Sequence, residues 1–73
     1  MKISEFWRSM DDEFGRGYAS VVADQTVLDA VGNRTAREAL EEGAPPLVVW
    51  QAVCAQHDLP ESKWLGVDPG EPR

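Results

Sequence analysis

The sequence predicts an all-α fold: a compact three-to-four-helix bundle with an αα-hairpin, helix-turn-helix-like, in its second half. Three observations predict it. Apolar residues recur at offsets of three and four along most of the chain. Glycine and proline punctuate those runs where helices should stop and start. In the β-branched segment after Tyr18, where a strand would compete, Ala23-Asp24-Gln25 followed by Asp29 does not give the alternation a half-buried strand needs. The 73 residues are 42% hydrophobic and 27% charged, which fits one small domain. We expect that domain over residues 1–65, followed by a disordered tail over 66–73, where Pro69, Gly70 and Pro72 leave little to bury.

Phe6, Trp7, Met10 and Phe14 share a helical stripe after Ser4, which suits an N-cap, and Glu5 suits the positive end of the helix dipole. Gly15 and Gly17 break the pattern, so a first helix is expected over Glu5–Phe14, with Arg8 reaching Asp12 or Glu5. Tyr18, Val21, Val22, Gln25, Leu28 and Val31 resume the three-and-four spacing, predicting a second helix over Tyr18–Val31. Its β-branched residues, Val21, Val22, Thr26 and Val27, weaken local propensity. Gly32-Asn33 is a stop signal.

Thr35 followed by Glu38 forms a capping box, in which each residue satisfies an otherwise unpaired amide of the other. A short third helix over Ala36–Glu42 follows, ended by Gly43, with ion pairs expected between Arg34 and Glu38 and between Arg37 and Glu41. Pro46 fits a first-turn position because it lacks an amide that would be unpaired there. Leu47, Trp50, Val53, Cys54 and His57 then fall on one stripe, broadened by Val48, Val49 and Ala52. This fourth helix, Pro46–His57, is expected to be the centre of the core. Glu61 to Trp64 has room for one last turn.

The formal net charge is −6. Such a surface repels a phosphate backbone and an anionic membrane, and keeps a small protein soluble. The seven Lys and Arg residues are scattered. The longest apolar run, Leu47 to Trp50, is far too short to span a bilayer. No apolar stretch after Lys2 makes a signal peptide. One cysteine excludes an intramolecular disulfide, so a cytoplasmic protein is the default.

Chemistry is sparse. Cys54 and His57 are the one pair of metal-ligand character, and a zinc site would need carboxylates such as Asp58 or Glu61 to complete four ligands. The better reading is a buried thiol and a histidine at a helix C-terminus. A Cys–His nucleophile needs an exposed, electropositive setting that the core stripe does not offer. Gly15-Arg16-Gly17 joins two helices and is not a phosphate loop. We therefore expect no catalytic residue, no cofactor and no metal.

The Thr35–Ala55 segment resembles a DNA-binding hairpin in outline. Its second helix carries no Lys or Arg, and Glu38, Glu41 and Glu42 would face phosphate, so an ordinary scaffold hairpin is the better reading. Trp7 and Trp50 lie on core stripes. Trp64, beside Leu65, either caps the core or offers an exposed anchor for a partner. These two residues are the candidate partner-binding positions.

Several segments together resemble a known family. They are Met1-Lys2-Ile3-Ser4-Glu5-Phe6-Trp7-Arg8 with Met10 and Phe14, Arg34-Thr35 with Glu38-Ala39-Leu40 and Gly43, and Val49-Trp50 with Ala52-Val53-Cys54. In them the chain resembles an actinobacterial family known as domain of unknown function 3046, over about Met1–Glu61. The resemblance implies a short cytoplasmic protein, often encoded near the recombinase that pairs DNA strands and its small regulator. It carries no catalytic residue onto this chain, and His57 departs from the apolar character usual there. The expected function is a small non-enzymatic protein-interaction or regulatory module. A nucleic-acid accessory protein using the hairpin is the alternative. The expected partner is a protein, with nucleic acid and membrane disfavoured, and the chain itself a monomer or weak homodimer.

Overall fold

In a computed structural model, residues 1–64 are described. The chain is mostly helical: α1 is Ile3–Phe14, α2 Arg16–Gln25, α3 Ala36–Glu41 and α4 Pro46–Gln56. Two short strands, β1 (Val27–Leu28) and β2 (Arg34–Thr35), flank a 3-10 turn over Asp29–Val31. They pair antiparallel, Val27 opposite Thr35 and Leu28 opposite Arg34. A last 3-10 turn covers Glu61–Lys63.

The first helix begins earlier than Ser4 suggested. Lys2 is its N-cap, and the Glu5 carboxylate accepts a hydrogen bond from the Lys2 amide at 2.7 Å. Ser4 therefore sits inside the first turn. Glu5 is thereby engaged with the backbone it caps. Gly15 ends α1 and starts α2 with φ +88° and ψ 149°, a region that essentially only glycine enters at low cost. That single residue turns the chain back on itself.

The expected helix over Tyr18–Val31 is corrected in its second half. Helix α2 stops at Gln25, and Thr26 is already extended at φ −90° and ψ 117°. Thr26 and Val27 are β-branched, so local preference for helix is weakest there. The extended backbone sends Leu28 fully into the core and leaves Val27 exposed, the period-two alternation of a strand. It also lets these residues pair with β2. The fold is thus mostly helical with a small ladder, rather than purely helical.

Three elements end in one device. Gly32, Gly43 and Asp58 each take a positive φ, of 76°, 96° and 57°. In each case the next amide reaches back to the carbonyl five residues earlier: Asn33 to Leu28 at 3.0 Å, Ala44 to Ala39 at 3.0 Å, Leu59 to Cys54 at 2.8 Å. The positive-φ residue's own amide reaches the carbonyl three residues earlier. This is the Schellman arrangement, which pairs carbonyls the helix end would leave orphaned. Asp58 holds that position without being glycine.

The core runs through all four helices. Phe6 and Met10 from α1, Ala19, Val22 and Ala23 from α2, and Leu28 from β1 are buried. Ala36 and Ala39 of α3 pack there with Val49, Trp50, Ala52, Val53 and Cys54 of α4. Phe6 meets Trp50 edge to face, with ring centroids 6.4 Å apart, a favoured geometry for aromatic pairs. As expected, α4 is buried on much of its circumference. The capping box of α3 is also present: Thr35 Oγ accepts from the Glu38 amide at 3.2 Å, and the Glu38 carboxylate from the Thr35 amide at 3.0 Å.

Candidate interaction surface

Helix α4 places Cys54 and His57 in different surroundings. The Cys54 thiol is 0% exposed, with Sγ 3.9 Å from the Lys63 carbonyl. Burial, with a further push from the Glu13 charge, raises its pKa to about 11, against weaker lowering by a backbone hydrogen bond and Lys63. Such a thiol stays protonated at neutral pH and is a poor nucleophile. The His57 imidazole lies on the surface, its ring 5.0 Å from that of Phe14. A step of three positions, to the C-cap of α4, thus leads from a core thiol to a surface ring. Among the described residues, no group of three or more His, Cys, Asp or Glu side chains is placed to hold a metal ion. Nor is any helix long and apolar enough to cross a membrane.

Trp64 is half-buried and packs against the core, and its indole N–H donates to the Leu59 carbonyl at 3.0 Å. Leu65 and the tail expected over 66–73 lie outside the described residues. The last turn is tied down on two sides. Trp50 donates its indole N–H to the Lys63 carbonyl at 2.8 Å, and the Lys63 ammonium pairs with Glu13 at 2.8 Å. That ion pair, together with desolvation acting against it, leaves the Lys63 pKa above its ordinary value.

A different surface gathers chemistry suited to a partner. Ile3 and Trp7 of α1 meet Arg37, Leu40 and Glu41 of α3 around an open cleft of about 260 Å³. Ile3 and Trp7 are one helical turn apart, on the flank of α1 beside its buried Phe6–Met10 stripe. Ile3 is 54% exposed; Trp7 and Leu40 are half-buried and pack against the core. Phe6, buried in the core, packs on Trp7 edge to face with ring centroids 5.1 Å apart. The Arg37 guanidinium sits over the Trp7 ring, 5.0 Å from its centre, within cation–π range. The same guanidinium pairs with Asp24 of α2. Three helices thereby fix one aromatic ring at the surface.

The helix-spaced ion pairs expected from sequence do not form. Arg34 lies in β2, before α3 begins, and its guanidinium reaches Glu42 at 2.8 Å instead of Glu38. Arg37 turns to Asp24 and Trp7 rather than to Glu41. Arg34 and Glu42 also border a second open cleft with Val31, Ala39 and Ala44, of about 390 Å³. Its charged walls already neutralise each other. The sequence places Trp7 on a core stripe and Arg37 in a helix-surface ion pair, and marks neither of them, nor Ile3 and Leu40, as a partner-binding position. The one available signal was that Ile3 and Trp7 form a second apolar row beside the first.

With this geometry in place, comparison with known proteins adds a family. The family described as "Protein of unknown function (DUF3046)" matches residues 1–62. No curated protein and no solved structure matches the chain.

Proposed function

We propose that this chain, which belongs to the DUF3046 family, is a non-enzymatic protein-interaction or regulatory module working through its α1–α3 face. The observation that carries the reading is Trp7, half-buried and in contact with both Phe6 and Arg37, with Ile3 and Leu40 lining the same cleft. Trp and Arg are the residue types that dominate partner binding. Their fixed orientation reduces the ordering cost of association. An apolar floor with charged residues at its edge is the usual anatomy of such a surface.

The nucleic-acid alternative fares worse on physical grounds. The hairpin of α3 and α4 would have to place α4 in a DNA groove, yet α4 buries Val49, Trp50, Ala52, Val53 and Cys54 and carries no Lys or Arg. Net charge of −6 works against phosphate contact, which supplies most non-specific affinity. The hairpin serves as scaffold. A cytoplasmic setting suits a chain whose one cysteine is buried and unpaired.

The test is crosslinked recovery from native lysate with the tagged full chain and two variants. Ile3→Glu alters the cleft, and Val48→Glu alters an exposed residue of α4 outside its lining. The expected result is a partner recovered with the unaltered chain and with Val48→Glu, and lost with Ile3→Glu. Equal recovery by all three, or repeated recovery of nothing, would overturn the reading.

A further inference from the structure

We infer that the segment seated in the α1–α3 cleft is a basic amphipathic helix, its apolar side chain between Trp7 and Leu40 and its Lys or Arg facing Glu41. The inference rests on reading this face as a partner surface, and it assigns the partner's chemistry.

Charge carries it. The cleft is lined by one cation and one anion, Arg37 and Glu41. The Arg37 charge is already met by the Asp24 carboxylate and by the Trp7 ring. Glu41 is exposed and has no ion-pair partner among the described residues. The uncompensated charge of the lining is therefore negative. It sits within a chain of net charge −6, whose field draws cationic segments in and speeds encounter. A second copy of this chain brings the same six excess negative charges and is repelled. An anionic membrane is repelled likewise.

Shape narrows the class further. A helix laid in a groove presents apolar anchors at i and i+3 or i+4, and its flanking turn is free to carry a charged residue. The cleft offers two apolar walls from two helices, Ile3 with Trp7 on one side and Leu40 on the other, with Glu41 adjacent to Leu40. On a helix anchored between the walls, a cation one turn from the anchor is the residue to meet a carboxylate that lines the same cleft. Specificity follows from the sign of that charge, because an acidic residue there would meet Glu41 unpaired.

The test selects short peptides from a phage-displayed library against the immobilised full chain. Selected peptides are then titrated by fluorescence polarisation against the unaltered chain, Glu41→Gln and Ile3→Glu, each checked for retained helix by circular dichroism. Enriched peptides are expected to place Lys or Arg three or four residues from an apolar anchor. Binding should weaken about two- to fivefold in Glu41→Gln, the range of an exposed ion pair, and should weaken further in added salt. Ile3→Glu should cost roughly tenfold or more, as loss of an anchor does. Peptides that lack basic residues, or that bind Glu41→Gln equally well while failing on Ile3→Glu, would overturn the assigned chemistry and leave the partner surface standing. Peptides indifferent to both variants, or no enrichment at all, would remove the surface as well. Concentration-dependent self-association abolished by Ile3→Glu would make a second copy the occupant, against the inference.

Discussion

Replacing Trp50 by Phe separates the two jobs of the most deeply placed aromatic. The ring is 2% exposed, meets Phe6 edge to face, and donates its indole N–H to the Lys63 carbonyl at 2.8 Å. Phenylalanine keeps an aromatic face and loses the donor and one fused ring. The hydrogen bond contributes about 1 kcal/mol net. Shrinking a buried ring adds roughly 1–1.5 kcal/mol of lost transfer energy and residual cavity. The total, about 2–2.5 kcal/mol, is large for a chain whose whole stability should be roughly 4–11 kcal/mol at this length. The midpoint of thermal unfolding should fall by about 10–15 °C. Urea unfolding followed by far-ultraviolet circular dichroism measures the loss directly, and an unchanged m-value assigns it to the native state. A loss under about 0.5 kcal/mol would refute the reasoning, since a Trp so placed cannot be removed at so small a cost.

Other perturbations probe separate parts of the account. Asp58→Gly should stabilise the fold by about 0.5–1 kcal/mol, because Asp58 holds a left-handed backbone at φ 57° that glycine adopts freely; chemical denaturation reads the sign. Thr35→Ala should cost about 1 kcal/mol in the same assay by removing the acceptor for the Glu38 amide. Alkaline pH should destabilise through Cys54. Its folded pKa of about 11 lies above the ordinary thiol value of 9.0, so the unfolded chain releases the proton first, and stability falls as pH rises from 9 towards 11. The raised pKa of Lys63 acts in the same direction at higher pH, and Cys54→Ala should flatten only the cysteine part of the slope. Labelling of Cys54 by a thiol reagent at pH 8 should require unfolding and so accelerate with urea; rapid labelling of the native chain would contradict the burial.

What could be read from the sequence was whatever depends on near neighbours. The stripes that bury Phe6, Met10, Trp50 and Cys54 follow from three-and-four spacing, and the α3 capping box from Thr35 and Glu38 alone. Gly32 and Gly43 marked their stops for the same local reason. The errors arose where distant chain decides. Leu28 satisfies helical spacing, yet its burial is achieved by an extended backbone that pairs with β2. The Ser4 cap is the exception, a local miss: Glu5 reaches back three residues to the Lys2 amide and starts the helix sooner. Arg37 looked like half of a helix-surface pair with Glu41, but packing of α3 beside α1 and α2 offered it Asp24 and an aromatic ring. Lys63 meets Glu13 from fifty positions away along the chain, which no local pattern encodes. The cleft belongs to this second kind, because its two walls come from helices joined only through the fold.

The assignment of α4 to the core is the premise from which the α1–α3 face inherits its role. Native-state hydrogen exchange of its amides tests that premise most directly. Residues 49–54 should exchange among the slowest in the chain, through global unfolding alone and with the full unfolding free energy. Rapid exchange there, while α1 and α2 stay protected, would show α4 to be a loosely held outer helix and would return the hairpin to contention as the working surface.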